Sequence, residues 1–279
     1  MDRKTYPKWT GVVLGFLLSG SAHYLSGQKA VAARWYLAIT LAEIGGIVVL
    51  ALPGTAGLVL SGLLLFAGFV LWLSMLAKSC RPVPRIGVRG WAAVVLLNAL
   101  LCLGWESAIR SVLRPFRISS GAMAPALLPG DRVMAERLSY RLTSPRRGDV
   151  VVFSTRELRY PYVQTNTFYV KRIAGLPGET VQIVPPNLVV NGEIVRDPPI
   201  FAEIAARSNG FQLVSGPIGA KVVLRHPADK IALGDNEYLT LGDNTASSLD
   251  GRYYGPVAGD QIVGRVVRTY WPIARIGQR

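Results

Sequence analysis

One lysine of this sequence lies where a β-strand would bury its amine. A two-residue period places Tyr169, Lys171 and Ile173 on one face of the apolar run 168–173. A solvated lysine has a pKa of about 10.4 and is protonated at neutral pH. Burial among apolar side chains disfavours the charged form, so a buried lysine can act as a general base. Because a lone lysine on a strand is more often a solvated surface residue, this chemistry needs support from elsewhere in the chain.

Two polar loops could supply the other groups that such a base requires. One precedes the lysine and reads Ser119-Ser120-Gly121-Ala122-Met123-Ala124-Pro125. The other follows it and reads Gly242-Asp243-Asn244-Thr245-Ala246-Ser247-Ser248-Leu249-Asp250-Gly251-Arg252. Peptide hydrolysis by a serine and a lysine needs an attacking hydroxyl, a neutral amine and donors for the oxyanion. A polar surface turn would explain Gly242-Asp243-Asn244 alone, but not the whole second loop.

Together these segments resemble the boxes of type I signal peptidases. The first loop is similar to the family's Ser-Gly-Ser-Met-x-Pro followed by Gly-Asp, here Gly130-Asp131. The run that begins at Tyr169 is similar to Tyr-Val-Lys-Arg-x-x-Gly-x-Pro-Gly-Asp/Glu. The second loop resembles Gly-Asp-Asn-x-x-x-Ser-x-Asp-Ser-Arg, with departures at Thr245, Ala246, Ser247 and Gly251. A fourth match is the strand at 148–153, and the resemblance covers Arg117 to about Val257.

The resemblance implies a role for each matching residue. Ala122 occupies the position of the nucleophile serine, and Lys171 matches the general base. Ser120 matches the serine that helps to hold the oxyanion, together with the backbone N–H of residue 122, and Ser248 matches the partner that orients the lysine. The residues implied to brace the loops or to bind an extended substrate strand are Met123, Pro125, Asp250, Arg252, Phe168, Tyr169 and Val170.

Alanine at position 122 removes the atom that would perform the reaction. We do not expect Ser119 or Ser120 to replace it, because two residues along an extended segment move a side chain by several ångströms. The alanine is either engineered, to trap a substrate, or natural. The retained Lys171, Ser120 and Ser248 favour a recent loss of catalysis or a site that still binds.

The composition predicts a membrane protein. Hydrophobic residues make up 50% of the 279 residues and charged residues only 17%, which is too apolar for an ordinary soluble domain. The net charge is +14, and many of the basic residues flank apolar segments. This pattern is typical of membrane proteins, in which basic flanks set the orientation of the spans. It argues against a nucleic-acid-binding protein. Cys80 and Cys102 lie in a basic loop and in an apolar segment, so we expect no disulfide between them.

Apolar segments organise the first part of the chain. The segments 35–52, 56–77 and 91–109 are each about long enough to cross a bilayer, and Pro53-Gly54 makes the first two a helical hairpin. The segment 9–27 is interrupted by polar residues and either spans or is re-entrant, and the second alternative is favoured. Glu43 within a span is costly, and we expect it to be paired, for instance with His23 or Lys29, or functional.

A mainly-β domain is predicted after Arg117. Short β-branched runs occur at 150–153, 168–173, 180–184, 188–190, 221–224, 237–241 and 261–267, and Asn191-Gly192 is typical of a two-residue hairpin turn. We therefore expect a multi-pass α-helical membrane module at 1–89, a transmembrane anchor at 90–109 and a mainly-β peptidase domain at 110–279.

The resemblance predicts a membrane-bound serine endopeptidase that removes signal peptides from exported proteins, inactive or nearly so because of Ala122. The alternative is a pseudopeptidase that binds signal peptides or assists an active relative. Expected partners are signal peptides, the lipid bilayer and the export machinery, with no nucleic acid, cofactor or metal. Basic residues around 78–89 place that loop in the cytoplasm of a bacterium, and the β domain then lies outside the inner membrane.

Overall fold

The chain divides into two compact units. The computed structural model describes residues 5–50, 55–80, 82–214 and 223–277. Unit 1 comprises Met1–Val112 and unit 2 comprises Leu113–Arg279. The segment 90–109, which the sequence assigns to a separate anchor, groups with the other helices in unit 1.

Unit 1 is helical. Its helices are α1 (Lys8–Leu17), α2 (Ser21–Leu25), α3 (Lys29–Leu50), α4 (Thr55–Lys78) and α5 (Val88–Val112). Within the described residues, two stretches are long and apolar enough to cross a membrane, Lys29–Val49 and Val59–Lys78. They correspond to the predicted segments 35–52 and 56–77, and the predicted turn at Pro53-Gly54 lies outside the described residues. The apolar stretch of α5, Val88–Leu101, is shorter, so the structure shows two candidate spans where the sequence indicates three or four.

The segment 9–27 begins and ends at the same end of unit 1. Tyr6 lies just before α1 and donates its backbone N–H to Val83 O at 2.8 Å, beyond the end of α4. The chain reverses at Gly20, where a Cβ would lie 2.7 Å from Ala32 O, so a glycine is required there. α2 then leads directly into α3, and Trp35 near the start of α3 lies under Lys78 at the end of α4. With ten residues, α1 is about 15 Å long, half of a bilayer core.

Unit 2 is mainly β, as the sequence predicts. Its strands are β1 (Leu113–Arg117), β2 (Arg132–Glu136), β3 (Val150–Ser154), β4 (Phe168–Gly175), β5 (Thr180–Val184), β6 (Asn187–Val190), β7 (Glu193–Ile194), β8 (Lys230–Ala232), β9 (Glu237–Leu241), β10 (Val257–Ala258) and β11 (Ile262–Trp271). Three short helices join them, namely α6 (Ser139–Leu142), α7 (Ile200–Ala206) and α8 (Gly251–Tyr254).

The strands form two antiparallel sheets. The larger has the order β1-β2-β11-β3-β4-β9-β10 and the smaller has the order β7-β6-β5-β8. Asn191 and Gly192 both have positive φ between β6 and β7, which confirms the predicted hairpin turn. Of the predicted run 221–224, residues 221 and 222 lie outside the described part of the chain, and Val223 and Leu224 belong to no strand.

Both faces of the larger sheet are covered by apolar side chains, and its strand β3 is apolar from Val150 to Phe153. In β3, Val150 and Val152 pack into the core that contains Met123 and Leu127. Val151 and Phe153 pack into the core on the other face. A strand buried on both faces is a continuous apolar run rather than an alternating one, which explains the sequence Val-Val-Val-Phe at 150–153.

Candidate active site

β4 carries Lys171 into the second of these cores. In the antiparallel pair of β3 and β4, Lys171 lies opposite Val151 and Tyr169 lies opposite Phe153, so these four side chains share one face. Lys171 is only 5% exposed, and its Nζ lies 5.7 Å from the centre of the Tyr169 ring. The strand pattern thus gives this lysine the apolar neighbours that its sequence predicts.

The surroundings of Lys171 favour its neutral form. Burial lowers the pKa of Lys171 to about 8, because a charged amine loses its hydration in the protein interior. The carboxylates of Asp250 and Asp243 act in the opposite direction, and the guanidinium of Arg252 acts with burial. A substantial fraction of the amine is therefore unprotonated at slightly alkaline pH, as a general base must be.

The loop after β1 carries the second group of predicted residues. Ser120 is exposed and extended, and it precedes a single 3-10 turn, Gly121–Met123. The buried side chain of Met123, 2% exposed, packs against Leu127 and anchors the turn in the first core. Ala122 is itself buried, and Pro125 follows in an exposed position. The turn is therefore held at Met123 while its serine end stays open to solvent.

The second polar loop holds this turn through its backbone. Asn244 donates its backbone N–H to Ala122 O at 3.0 Å and its Nδ2 to Gly121 O at 3.2 Å. Gly242 has no room for a side chain, because a Cβ would lie 2.5 Å from Ala122 O. The glycine and the asparagine of this loop therefore fix residue 122 in place, a role that the sequence did not assign to them.

A buried ion pair connects the lysine strand to the same loop. Arg172 lies on the opposite face of β4 from Lys171 and forms a bidentate ion pair with Asp243. Its Nε donates to Oδ1 at 2.7 Å and its Nη2 donates to Oδ2 at 2.6 Å. Its Nη1 also donates to Gly148 O at 2.7 Å. Bidentate pairs of this kind fix geometry in two directions. Arg172 and Asp243 were not predicted as site residues, although both lie within the segments that resemble the family's boxes.

Asp250 and Arg252 form a second pair, fully enclosed below the site. Arg252 donates Nε to Oδ1 of Asp250 at 2.8 Å and Nη2 to Oδ2 at 2.9 Å. Burial alone would raise the pKa of Asp250, but the Arg252 charge and the N–H of Gly242 hold that pKa below its usual range. Arg252 also donates to the carbonyl oxygens of Gln212, Thr245 and Ser248. The pair therefore ties several loop segments together.

Removing one partner of this enclosed pair should destabilise the protein strongly. Arg252→Met leaves the Asp250 carboxylate buried without its counter-charge, which costs about 3–5 kcal/mol in the free energy of unfolding. The exposed Arg156 offers a matched control, and Arg156→Met should change stability by less than about 0.5 kcal/mol. Denaturant titration of the detergent-solubilised chain measures both. Equal effects of the two variants would contradict the structural role of the pair.

Ser248 is buried next to this pair without a hydrogen-bond partner. Its side chain is 6% exposed, and its Oγ forms no hydrogen bond with any described residue. The hydrogen bond to the Lys171 amine, which the resemblance implies, is therefore not formed in this structure. A buried hydroxyl without a partner costs free energy of folding. The Ser248 hydroxyl also lies close to Gly242, because a Cβ added there would be 2.2 Å from Ser248 Oγ.

A cleft of about 400 Å³ brings several of the predicted residues together, and Ser247 and Leu249, the neighbours of Ser248, line it in place of Ser248 itself. Its lining includes Ser120, Ala122 and Met123 from the first loop and residues 168–171 from β4. Pro125 lines a different cavity, and Asp250 and Arg252 lie beneath the site. Within the described residues, no group of three His, Cys, Asp or Glu side chains could hold a metal ion.

One edge of β4 is open where it lines the cleft. β3 pairs with residues 168–172, whereas β9 pairs with the other edge only from Arg172 onward. Along residues 168–171 the described chain therefore offers backbone groups on the cleft side without a neighbouring strand. The opposite wall of the cleft is Ile118, Ser119 and Ser120. An extended peptide could lie between these two walls.

Comparison with known proteins identifies the family. Residues 88–271 match the family model described as Signal peptidase, peptidase S26, and the chain therefore belongs to this family of peptidases. Within it, the relatives are type I signal peptidases. The chain is 35% identical over 184 residues to Signal peptidase I of Leptolyngbya laminosa, an alignment that covers 65% of this chain and 79% of the relative.

Two further relatives carry similar names. Probable signal peptidase I-2 of Synechocystis sp. is 33% identical over 57% of this chain and 64% of the relative. Signal peptidase IB of Staphylococcus aureus is 29% identical over 58% of this chain and 80% of the relative. A crystal structure of a signal peptidase I from Enterococcus faecalis V583 aligns with a TM-score of 0.32 and 23% identity, covering 44% of this chain and 97% of that one.

Proposed function

We propose that this chain is a membrane-anchored signal peptidase I domain that binds the signal peptides of exported preproteins but does not cleave them at a useful rate. The observation that supports this most directly is that the buried amine of Lys171 and the side chain of Ala122 line one cleft. The base is therefore retained at the site, while the hydroxyl that it would activate is replaced by a methyl group.

The same geometry supports a Ser/Lys mechanism when residue 122 is serine. The unprotonated Lys171 amine takes the proton of the serine hydroxyl as the oxygen attacks the scissile carbonyl. The Ser120 hydroxyl and the backbone N–H of residue 122 donate to the developing oxyanion. The protonated Lys171 then returns its proton to the leaving amine, and water attacks the acyl-enzyme in the same way. Ser248 orients the amine once its free hydroxyl turns to accept from it.

The open edge of β4 supports the proposed mode of substrate binding. A signal peptide in extended form adds as a strand along Phe168, Tyr169 and Val170, and backbone hydrogen bonds supply affinity without depending on its sequence. Small side chains before the cleavage site fit the shallow pockets between β4 and Ile118. Small residues of the Ala-x-Ala type are the usual signature of such cleavage sites.

The pseudopeptidase alternative rests on how complete the site is. Apart from position 122, the base, the loop contacts of Asn244 and the two buried ion pairs are all present. These groups would keep the cleft in a shape that binds a signal peptide for an active relative, or that holds it near the export machinery. A site that is complete except for residue 122 is also expected if the alanine was engineered. The natural and the engineered origin of Ala122 therefore predict the same chemistry for this chain.

The charge distribution of unit 1 supports a multi-pass topology in a bacterial inner membrane. Lys8, Lys78 and the basic loop around Arg85 lie at one end of the helices, and that end faces the cytoplasm by the positive-inside rule. The segment 9–27 is then re-entrant from this side. The proposed topology further requires α5, whose apolar stretch is Val88–Leu101, to cross the membrane as well. The peptidase domain that follows is then extracytoplasmic.

Peptide binding without turnover tests the proposed function. A fluorescent signal peptide with Ala-x-Ala before the cleavage site should bind the detergent-solubilised full chain, as measured by anisotropy, and remain intact over a long incubation. The matched control peptide carries Phe at both alanine positions and should bind at least about tenfold more weakly, because the shallow pockets cannot accept it. Product formed by material freed of host peptidase would contradict the loss of catalysis. Equal affinity for the two peptides would contradict the proposed subsites.

A further inference from the structure

Unit 1 contains a cleft of its own, at the basic end of its helices. The cleft has a volume of about 400 Å³, and α2, the start of α3 and the end of α4 line it. His23, Gln28, Arg34 and Lys78 supply its polar lining. His23 is 1% exposed, whereas Arg34 and Lys78 are exposed. The cleft thus has a buried polar floor and two cations at its rim.

No carboxylate lines this cleft among the described residues. Residues 1–112 contain only three acidic residues, Asp2, Glu43 and Glu106. On α3, Glu43 follows Arg34 by nine residues, which is about 13 Å along the helix axis and beyond reach of a direct ion pair. Arginine and lysine have only donors. The charged side chains in the described lining of the cleft are therefore both cations, Arg34 and Lys78.

Its surroundings place the cleft at the level of lipid headgroups. It lies where two helices long and apolar enough to cross a membrane begin and end, α3 and α4. Trp35 lines the cleft, and Lys78 Nζ lies 5.1 Å above the centre of its ring. Tryptophan beside lysine or arginine is typical of the membrane–water interface. Ala38 and Leu41 continue the Arg34 face of α3, and the exposed Leu41 extends that face towards the acyl region.

We propose that this cleft binds the phosphate of an anionic phospholipid. Arg34 pairs with two phosphate oxygens through its planar guanidinium, and Lys78 contributes a second positive charge while it remains on the Trp35 ring. The acyl chains of the lipid lie along the apolar face of α3 that begins at Ala38. A basic pocket between membrane helices on the cytoplasmic side is the kind of site in which such headgroups bind.

Lipid binding by native mass spectrometry tests this site. The full chain in neutral detergent is titrated with phosphatidylglycerol, and separately with phosphatidylcholine. We expect a saturable site for phosphatidylglycerol in the wild-type chain. Arg34→Gln with Lys78→Gln should weaken its affinity by about thirtyfold. Arg85→Gln with Arg89→Gln removes the same charge outside the cleft lining and should change the affinity by less than about threefold.

Two further arms separate the possible outcomes. The charge-preserving double variant Arg34→Lys with Lys78→Arg should keep the preference for phosphatidylglycerol, because both positions stay positively charged. Binding that is retained in this variant and lost in the Gln variant assigns the loss to the missing charges. Bound lipid should also remain at millimolar inorganic phosphate. The proposal is overturned by equal losses in the two Gln variants, by equal affinity for phosphatidylcholine, or by complete displacement with inorganic phosphate. This site is independent of the proposed peptidase chemistry, and each can fail without the other.

Discussion

Ala122→Ser is expected to turn this chain into an active signal peptidase. The change adds one oxygen to a buried side chain that lines the same cleft as the Lys171 amine. Loss of the nucleophile in a serine protease lowers kcat by about a millionfold, so its restoration should raise cleavage of a preprotein by a comparable factor. The measurement is the rate at which a purified preprotein loses its signal peptide in detergent micelles.

The position of the new hydroxyl is decisive, and a matched variant tests this. Ala124→Ser adds the same group two residues further along the loop, at a residue that lines a different cavity, and it should remain inactive. Ser120→Ala in the Ala122→Ser chain should lower kcat by about 10²–10³, as expected for one oxyanion donor. If Ala122→Ser is as inactive as the wild-type chain while it binds the signal peptide normally, the proposed mechanism is wrong.

Lys171→Met in the Ala122→Ser background should remove the restored activity. General-base catalysis contributes up to about 10⁴-fold, and methionine keeps the volume of the side chain but has no proton acceptor. Lys230 on β8 is exposed, and Lys230→Met should leave cleavage unchanged. Unaffected cleavage in the Lys171 variant would show that some other group serves as the base.

We expect Lys171→Met to lose activity without losing stability, because it removes an amine that is costly to bury in its charged form. The pKa of Lys171 is lowered to about 8 in the folded protein from about 10.4 in the unfolded chain. Between these values the unfolded state holds more protons, so the contribution of Lys171 to stability rises with pH across this window. Below pH 8 the buried charge costs at most about 3 kcal/mol. Lys171→Met should therefore raise the melting temperature at neutral pH, and raise it less near pH 10.

Local sequence patterns predicted the strand that carries the base and the apolar surroundings of Lys171, but not every strand of unit 2. The described residues of the run 221–224 form no strand, and β1, β2 and β8 lie outside the predicted runs. The two-residue period around Lys171 predicts the face that it shares with Tyr169 and Ile173, and the structure places it among apolar side chains there. The turn at Asn191-Gly192 follows from the conformations that these two residues adopt readily. Such features depend on neighbours in the chain, which is why the sequence alone reveals them.

The supports of the site depend on distant parts of the chain and were missed. Arg172 and Asp243 are 71 residues apart, and Asn244 and Gly121 are 123 residues apart. The periodicity of β4 does not show that Arg172, on the face opposite Lys171, pairs with Asp243 in the loop after β9. In unit 1, the reversal at Gly20 depends on its packing against Ala32, so the sequence left open whether the segment 9–27 spans.

The dependence of cleavage on pH tests the central claim most directly. The claim is that the amine of Lys171, unprotonated because it is buried, removes the proton from a hydroxyl at residue 122. In the Ala122→Ser chain, kcat/KM should therefore rise with pH and level off with an apparent pKa of about 8. A profile that stays flat from pH 6 to pH 10, or that rises only near the pKa of a solvated lysine, would contradict it.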